Sequence, residues 1–428
     1  MARRGRVVTE RVVLVTVRKP GYARAPVAYS QQELSRLVQT AGGHTVDMVV
    51  VPRERPDPAT YIGSGGAEAL AGRVADARAT TVVFDDELTP AQLRNLERIV
   101  RAKIIDRTRL ILDIFARRAR SREALLQVEA AQLAYLLPRL TRRGVDMDNQ
   151  VGGIGTRGPG ETKLETDRRR IMARQSAIRR ELRDIARSRE VQKGARRESS
   201  VPTVALIGYT NAGKSTLFNA LAGGTAAYAD DKLFATLDPL VRRVDLAPGC
   251  PALVVDTVGF IGKLPHHLVE SFTSTLDVVR DATLLLHVQD ISDPERAEHA
   301  GIVCGLLASL SCARTPRLTV YNKCDLLPAA GKKMYTERVR AGTESLRISA
   351  ASGTGVDVLR QVLLRRLYPD RIRRMIRLRP DQYGLIGEIY RSCTVVARRM
   401  DGDRMTLTIV SSPAEYRRIS AHIRDEHP

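Results

Sequence analysis

Tryptophan is absent, and aromatic residues make up only 4% of the 428 positions, which excludes a binding face built mainly from rings that stack on bases. Cysteine is scarce. Cys250, Cys304, Cys312, Cys324 and Cys393 are odd in number and no two have CxxC spacing, so neither a disulfide framework nor a zinc site is expected, and a reducing compartment suits the chain. No apolar run approaches the ~18 residues of a membrane span. The stretch behind the opening Met-Ala-Arg-Arg-Gly-Arg is short and contains Arg11, so neither a signal peptide nor a span is expected there. Acidic residues are in short supply: 48 Asp+Glu against 69 Lys+Arg leave a formal charge of +21. Such a surplus points to a polyanion, either nucleic acid or an anionic membrane surface. With so few rings, an electrostatic footprint that reads the backbone fits best.

What is present is ordinary globular material, 43% hydrophobic and 27% charged, and long enough for roughly three domains. The charge is unevenly spread. Residues 1–200 carry 39 basic and 24 acidic side chains, and residues 371–428 carry 12 and 7, so the middle block 201–370 is nearly neutral at +1. The polyanion therefore concerns the two ends. Runs at 12–17, 46–51 and 81–84 predict strands, and segments from Ser30 to Gln39, after Gly66 and after Thr89 predict helices. Ser30 with Glu33 reads as a capping box, and Thr89-Pro90 as a cap with proline at the first helical position. One helix is expected over 113–140 and a second over 165–190, with Ile171, Ile178, Leu182 and Ile185 at helical spacing among many arginines. Between them lies the glycine-rich loop 151–160. The last segment predicts two or three strands and a final helix opening at Ser412-Pro413.

The strongest chemical signal is TVALIGYTNAGKSTLFNA at 203–220. A β-rich run enters Gly208-x4-Gly213-Lys214-Ser215 and a helical pattern follows, which is the context that distinguishes a P-loop from a chance glycine turn. Glycines let the backbone wrap phosphates, with N–H groups from Asn211, Ala212, Gly213 and Thr216 and the helix N-terminus supplying positive potential. Lys214 is expected to reach the β- and γ-phosphates and Ser215 to ligate Mg²⁺. Asn322-Lys323-Cys324-Asp325 follows a second β-run. Alone it is a common solvated turn, but at this distance behind a P-loop it selects guanine. The Asp325 carboxylate can accept from N1–H and the exocyclic amine, Asn322 can tie the segment to the P-loop, and the Lys323 stem can cover the base. Ser349-Ala350 completes that pocket with backbone N–H groups. Asp256-Thr-Val-Gly259 supplies a carboxylate for Mg²⁺ through water and an N–H for the γ-phosphate. Thr236 is the candidate second hydroxyl on Mg²⁺, with Thr225 its rival. Phe260 stands where many GTPases place the glutamine that orients the attacking water. Either intrinsic hydrolysis is slow or another group completes the site. The Asn211 oxygen could hold a monovalent cation, K⁺, near the phosphates, or Asn211 could simply support the loop. His266 and His267 read as a surface loop rather than a metal site.

Together these motifs resemble the HflX family of translational GTPases over nearly the whole chain. GYTNAGKSTLFN, KLFATLDP, DTVGFI-x2-LPHHLV and NKCD are similar to its GTPase domain. ILDIFARRA (111–119), LAYLLPRL (133–140) and GGIGTRGPGETKLETDRR (152–169) are similar to its N-terminal domain and arm. The resemblance implies binding to the large ribosomal subunit and its rRNA, GTP-dependent separation of stalled or idle ribosomes, a role in stress recovery, and an arm loop that enters the peptidyl-transferase region. Arg157, Lys163, Arg168, Arg169 and Arg170 are then phosphate or base contacts, or else a solvated helix face. Val151 and Asn149 replace a usual glycine and arginine, the lysines often found near Ile62-Gly-Ser-Gly-Gly66 are missing, and Leu240-Val241 replaces a threonine pair. These departures bear on rRNA contacts and on any accessory nucleotide site, not on the GTPase motifs.

The expectation is an α/β multidomain protein. It comprises an N-terminal α/β domain (1–112), a basic helical hairpin arm (113–197), a Ras-like P-loop GTPase domain (201–370) and a small α+β C-terminal domain (371–428). It is expected to be a monomer in the cytoplasm without a membrane span, peripheral membrane association being left open, and to hydrolyse GTP with Mg²⁺. Rival readings are a GTPase of ribosome assembly or RNA modification, a nucleotide-switched module that sequesters a membrane protease, and an RNA-remodelling ATPase. Asp325 argues against the last.

Overall fold

Val12 to Val15 are buried without interruption, the pattern of a strand covered on both faces. In the computed structural model they form the centre of β1 (Arg11–Arg18), which pairs in parallel with β2 (His44–Pro52) and β3 (Thr81–Phe84). The structure describes residues 10–18, 24–140, 159–198, 201–224, 233–234, 238–263, 278–312, 314–327 and 345–424. The chain divides into two bodies. The first comprises Met1–Gln192, Asp230–Asp238 and Ile261–Thr275; the second comprises Lys193–Ala229, Pro239–Phe260 and Leu276–Pro428.

In the first body, β4 (Lys103–Asp106) completes a parallel sheet of order β2-β1-β3-β4. Parallel neighbours need crossovers, supplied by α1 (Arg24–Thr40), α2 (Ser64–Asp76) and α3 (Pro90–Val100). One core joins Val13, Val15, Ile62, Leu70, Phe84, Leu88 and Leu96. Helix α3 starts as the sequence predicts. Thr89 accepts from Gln92 N, Gln92 returns the bond to Thr89 N, and Pro90 opens the helix. The Ser30–Glu33 capping box does not form. Helix α1 begins earlier, so Ser30 lies inside it and donates to Asp85 Oδ2 at 2.6 Å, while Glu33 pairs with the buried Arg107. Tertiary partners outbid the local cap.

The single helix expected over 113–140 is two, α4 (Arg107–Arg118) and α5 (Arg122–Leu136). Ser121 breaks the run by accepting from Ala124 N at 3.1 Å, and the Asp238 carboxylate accepts from the N–H groups of Arg120 and Ser121 at 3.1 Å each. Helix α6 (Pro159–Glu198) is 40 residues long, well beyond the expected 165–190. It is tied to α5 by Arg174, which forks onto Glu129 with two bonds of 2.7 Å, and by Arg122 to Glu181 at 2.8 Å. Loop residues 151–158 lie outside the described residues, as does Asn149.

The second body holds a sheet of order β10-β9-β8-β5-β7-β6. Its strands are β5 (Thr203–Ile207), β6 (Leu240–Ala247), β7 (Cys250–Asp256), β8 (Leu284–Asp290), β9 (Arg317–Asn322) and β10 (Ser345–Arg347), with only β6 antiparallel. Helices α7 (Lys214–Ala222), α8 (Arg296–Ser309) and α9 (Val356–Leu367) belong to it. Leu217, Phe218, Val254, Leu286, Val320 and Leu359 meet in one core, and Ala205, Ile207, Val279, Leu285 and Val303 in another. The last segment adds β11 (Ile372–Leu378), α10 (Ile386–Ser392), β12 (Thr394–Asp401), β13 (Arg404–Ser411) and α11 (Pro413–Arg424), an antiparallel sheet of order β11-β13-β12 with helices on one face. Among the described residues no helix is long and apolar enough to cross a membrane.

Candidate nucleotide site

The site grows from the carboxyl ends of β5, β7 and β9, where open α/β sheets place their ligands. Strand β5 ends at Ile207, and residues 208–213 turn into α7, whose first residue is Lys214. Two positions in this turn require glycine. Gly208 sits under Val288, whose carbonyl oxygen would lie 2.2 Å from any Cβ, and Gly213 has φ 88° with Asn322 Nδ2 2.1 Å from where a Cβ would be. Asn211 is the non-glycine residue of this loop in the left-handed region, at φ 62°.

Lys214 is almost wholly buried. Its Nζ donates to the carbonyls of Gly208 at 3.1 Å and Tyr209 at 2.8 Å, which aims the ammonium back across its own loop. Burial lowers its pKa to about 8, with the Asp256 carboxylate pulling the other way. The Ser215 hydroxyl donates to Asp256 Oδ2 at 2.7 Å. Those two oxygens, one hydroxyl and one carboxylate at a helix N-terminus, are the hard donor set that suits Mg²⁺. Thr216 follows in the first turn of α7. Thr236 and Thr225 lie outside the described residues, as do His266 and His267.

Beyond Asp256 the chain is stitched to the phosphate loop. Thr210 N donates to Phe260 O at 2.7 Å and Phe260 N to Gly208 O at 3.1 Å. A Cβ on Gly259 would fall 2.9 Å from Thr210 Cα and 3.0 Å from Lys214 Nζ. The Phe260 ring is 4% exposed and packs with Ala205, Ile207, Val279 and Leu285 beneath the sheet, so the side chain at this position points away from the loop's concave face.

At the other end, Asn322 Nδ2 donates to Ala212 O at 3.0 Å and its Oδ1 accepts from Ala350 N at 2.9 Å. One side chain thereby joins three loops. Lys323 is left-handed at φ 63°, and its ammonium meets Asp290 at 2.8 Å. Asp325 lies on the short turn Cys324–Leu326 with its side chain exposed. Ser349 is fully buried, with Oγ accepting from Ser352 N at 3.2 Å.

Several neighbours gave no sequence signal. Tyr209 stacks flat on His299, ring centroids 3.7 Å apart and planes 8° off parallel, and His299 Nδ1 lies 3.0 Å from Asp293. His287 is buried behind the loop, and desolvation, helped by Arg317 and Lys214, drives its pKa down to about 4. None of these contacts has a sequence spacing that could have revealed it.

A parallel sheet whose first strand enters a P-loop, with a DxxG carboxylate and an NKxD turn joined to that loop by one asparagine, defines a P-loop GTPase domain. The chain belongs to the HflX family of GTPases. Residues 28–116 match the family model "GTP-binding GTPase N-terminal", 118–196 match "GTP-binding GTPase Middle Region", and 203–323 match "50S ribosome-binding GTPase". The chain is 48% identical to the GTPase HflX of Caldanaerobacter subterraneus subsp. tengcongensis, over 79% of its own length and 77% of that protein's. It is 42% identical to the GTPase HflX of Escherichia coli K12, over 91% of each. Among solved structures, a GTP-binding protein from Sulfolobus solfataricus in complex with GDP aligns with 84% of this chain and 99% of that one, at 22% identity and a TM-score of 0.44. Membership of this family and the matched GTPase domain make the protein an enzyme that binds guanine nucleotide and hydrolyses GTP.

Proposed function

We propose that this GTPase acts in the cytoplasm as a monomer that binds the large ribosomal subunit in its GTP state, separates stalled or idle ribosomes, and resets by hydrolysing GTP to GDP and phosphate. The observation that carries this reading is the charge division. A GTPase block at +1 is flanked by residues 1–200, where basic side chains outnumber acidic ones 39 to 24, and by a basic last segment. A switch read by a large RNA surface needs basic flanks and a switch domain that does not itself stick to phosphate. The relatives' name and the ribosome-binding description of the matched domain model point the same way. On this reading the arm, 113–197, reaches the rRNA, with exposed Arg168, Arg169 and Arg170 on α6 among its contacts. The domains fall at 1–112, 113–197, 201–370 and 371–428.

In the site, backbone N–H groups of 211–216 cradle the phosphates, Lys214 turns from its two carbonyls to the β- and γ-phosphates, and Gly259 N–H meets the γ-phosphate. Ser215 and Asp256, with Thr236, hold Mg²⁺, which when bound neutralises charge on the phosphate oxygens. Asp325 reads guanine, Lys323 and the N–H groups at Ser349-Ala350 line the base pocket, and Asn322 fixes it to the P-loop. Asn211 Oδ1 would hold K⁺ near the β- and γ-phosphates, where the cation would supply charge that Phe260 cannot replace by orienting water. Only a preference of the GTP form for separated subunits can drive splitting.

The test is a sucrose-gradient profile of intact ribosomes mixed with the protein and GTP, a non-hydrolysable analogue or GDP. Conversion to subunits with GTP and with the analogue, but not with GDP, supports splitting by the GTP state. No conversion, with the protein travelling on precursor particles from a lysate, would move the function to ribosome assembly.

A further inference from the structure

The C-terminal sheet is covered on one face only. Ile376, Leu378, Met405, Leu407 and Ile409 pack against Ile389 of α10 and Ile419 of α11. The strand register fixes what lies on the other face, because side chains alternate. Arg373 stands opposite Val410, Met375 opposite Thr408 and Arg377 opposite Thr406. On the far side of β13, Arg399 stands opposite Thr406 and Asp401 opposite Arg404. The open face therefore carries Arg373, Arg377, Arg399 and Arg404 around a central row of threonines. Asp401 is the acidic residue on it, and no ring stands on it. Met375 at its middle is 67% exposed.

These arginines differ from three others in the same segment. Arg371 donates to Thr394 Oγ1 and Val410 O, Arg379 pairs with Asp381, and Arg418 with Glu388. Arg373, Arg377, Arg399 and Arg404 are exposed, and none of their guanidinium groups has a hydrogen-bond or ion-pair partner among the described residues. Four exposed guanidinium groups at fixed spacings on a sheet make a local positive field that favours an extended anion, with Asp401 opposite Arg404 the one opposing charge on the face. Arg373 and Arg377 are about 13 Å apart along their strand, and Arg377 and Arg399 about 10 Å apart across Thr406. This is an array too wide for one small anion.

We propose that this open face binds the sugar-phosphate backbone of base-paired RNA. Guanidinium forks match phosphate oxygens, and the threonine hydroxyls add neutral donors between them. The lack of rings disfavours unpaired bases, which need stacking partners. Binding is then independent of sequence and steep in salt. The ribosomal reading supplies the natural RNA, but the surface stands or falls without it.

The experiment uses the full chain and a double variant, Arg377→Thr with Arg399→Thr. A control removes the same charge from exposed arginines of α10 and α11, Arg391→Thr with Arg417→Thr. Threonine is at home in strands, and unaided GTP hydrolysis checks that each protein folds. Affinity for a generic 30-bp RNA duplex and for deproteinised rRNA is measured against KCl concentration. The face variant should flatten the log–log salt slope by about 2, since each lost phosphate contact removes about 0.9, while the control keeps the full-chain slope. Equal slopes for face variant and control overturn the proposal. It is also overturned if the face variant loses affinity for large subunits but not for naked rRNA, which means an acidic protein partner, or loses it only for phosphatidylglycerol vesicles. Ribosomes that fail to split while the slopes separate as expected would remove the splitting function and leave this surface intact.

Discussion

Asn322 and Ala212 stand 110 positions apart in the chain and are joined by one buried hydrogen bond, amide Nδ2 to carbonyl O at 3.0 Å. The same amide accepts from Ala350 N through its oxygen, so the guanine turn, the phosphate loop and the Ser349-Ala350 loop are held by a single side chain. Asn322→Ala leaves a buried carbonyl and a buried N–H without their partner, at a cost of about 1–3 kcal/mol each. Affinity for GDP should fall at least tenfold in isothermal titration. Asn322→Asp keeps the acceptor facing Ala350 but sets a second carboxylate oxygen against Ala212 O in a buried site, so it should bind GDP no better than Asn322→Ala. If Asn322→Ala binds GDP like the parent protein, the three loops do not depend on this residue.

Asp325 is exposed on its turn while Asn322 beside it is buried, the arrangement expected if one builds the pocket and the other faces the base. Asp325→Asn exchanges a double acceptor for a group that can donate to a carbonyl. Hydrolysis should shift from GTP toward XTP, with the preference reversing by about 10²–10³, a complementary hydrogen-bond swap being worth roughly 3–4 kcal/mol. A variant that still prefers GTP removes Asp325 from base recognition.

Phe260 occupies the position after Gly259 with its backbone bonded to Gly208 and Thr210 and its ring in the core beside Ala205 and Leu285. Phe260→Gln places an amide in that core, which should cost about 3 kcal/mol. It should not accelerate hydrolysis, since the side chain there leaves the site rather than entering it. A faster single-turnover rate for Phe260→Gln would mean the segment turns over when nucleotide binds. Exchanging K⁺ for Na⁺ separately tests Asn211. Slower hydrolysis in Na⁺ that disappears in Asn211→Ala supports a cation held there, and equal rates in both salts assign Asn211 to the loop alone.

The parts legible in sequence were those encoded by local spacing. The strand–loop–helix at 203–222 needs its glycines where Val288 O and Asn322 Nδ2 come close, and Thr89-Pro90 caps α3 with atoms three residues away. Ser30-x-x-Glu33 has the same local signature and does not cap, because Asp85, just beyond β3, and Arg107, the first residue of α4, claim both side chains from far along the chain. The break between α4 and α5 is not legible in the local sequence for a related reason. Ser121 is a modest signal by itself, and it is reinforced by Asp238, 117 positions away. Fold class follows from periodicity, whereas the Tyr209–His299 stack and the buried His287 depend on which strands become neighbours, and nothing in the local pattern sets that.

His287 gives a pH signature that is independent of catalysis. Unfolded, its imidazole takes up a proton near the ordinary 6.5. Folded, burial holds protonation off until about 4, with the cations Arg317 and Lys214 adding to the penalty. Gln289 Nε2 also lies 3.3 Å from His287 Nδ1, a contact that the amide donor keeps only while that nitrogen is unprotonated. Between these two values the unfolded chain binds more protons, so the histidine's contribution is present above 6.5 and is lost as the pH falls through that window. At pH 5 the loss should be about 2 kcal/mol relative to pH 7.5. His287→Gln does not titrate, so subtracting its stability from that of the parent at each pH isolates this residue from the acid titration of the carboxylates. The difference, read from denaturant melts with guanine nucleotide absent, should shift against the parent protein by that amount on acidification. A difference that is flat from pH 7.5 to 5 would place the imidazole in contact with solvent, contrary to its burial under the P-loop.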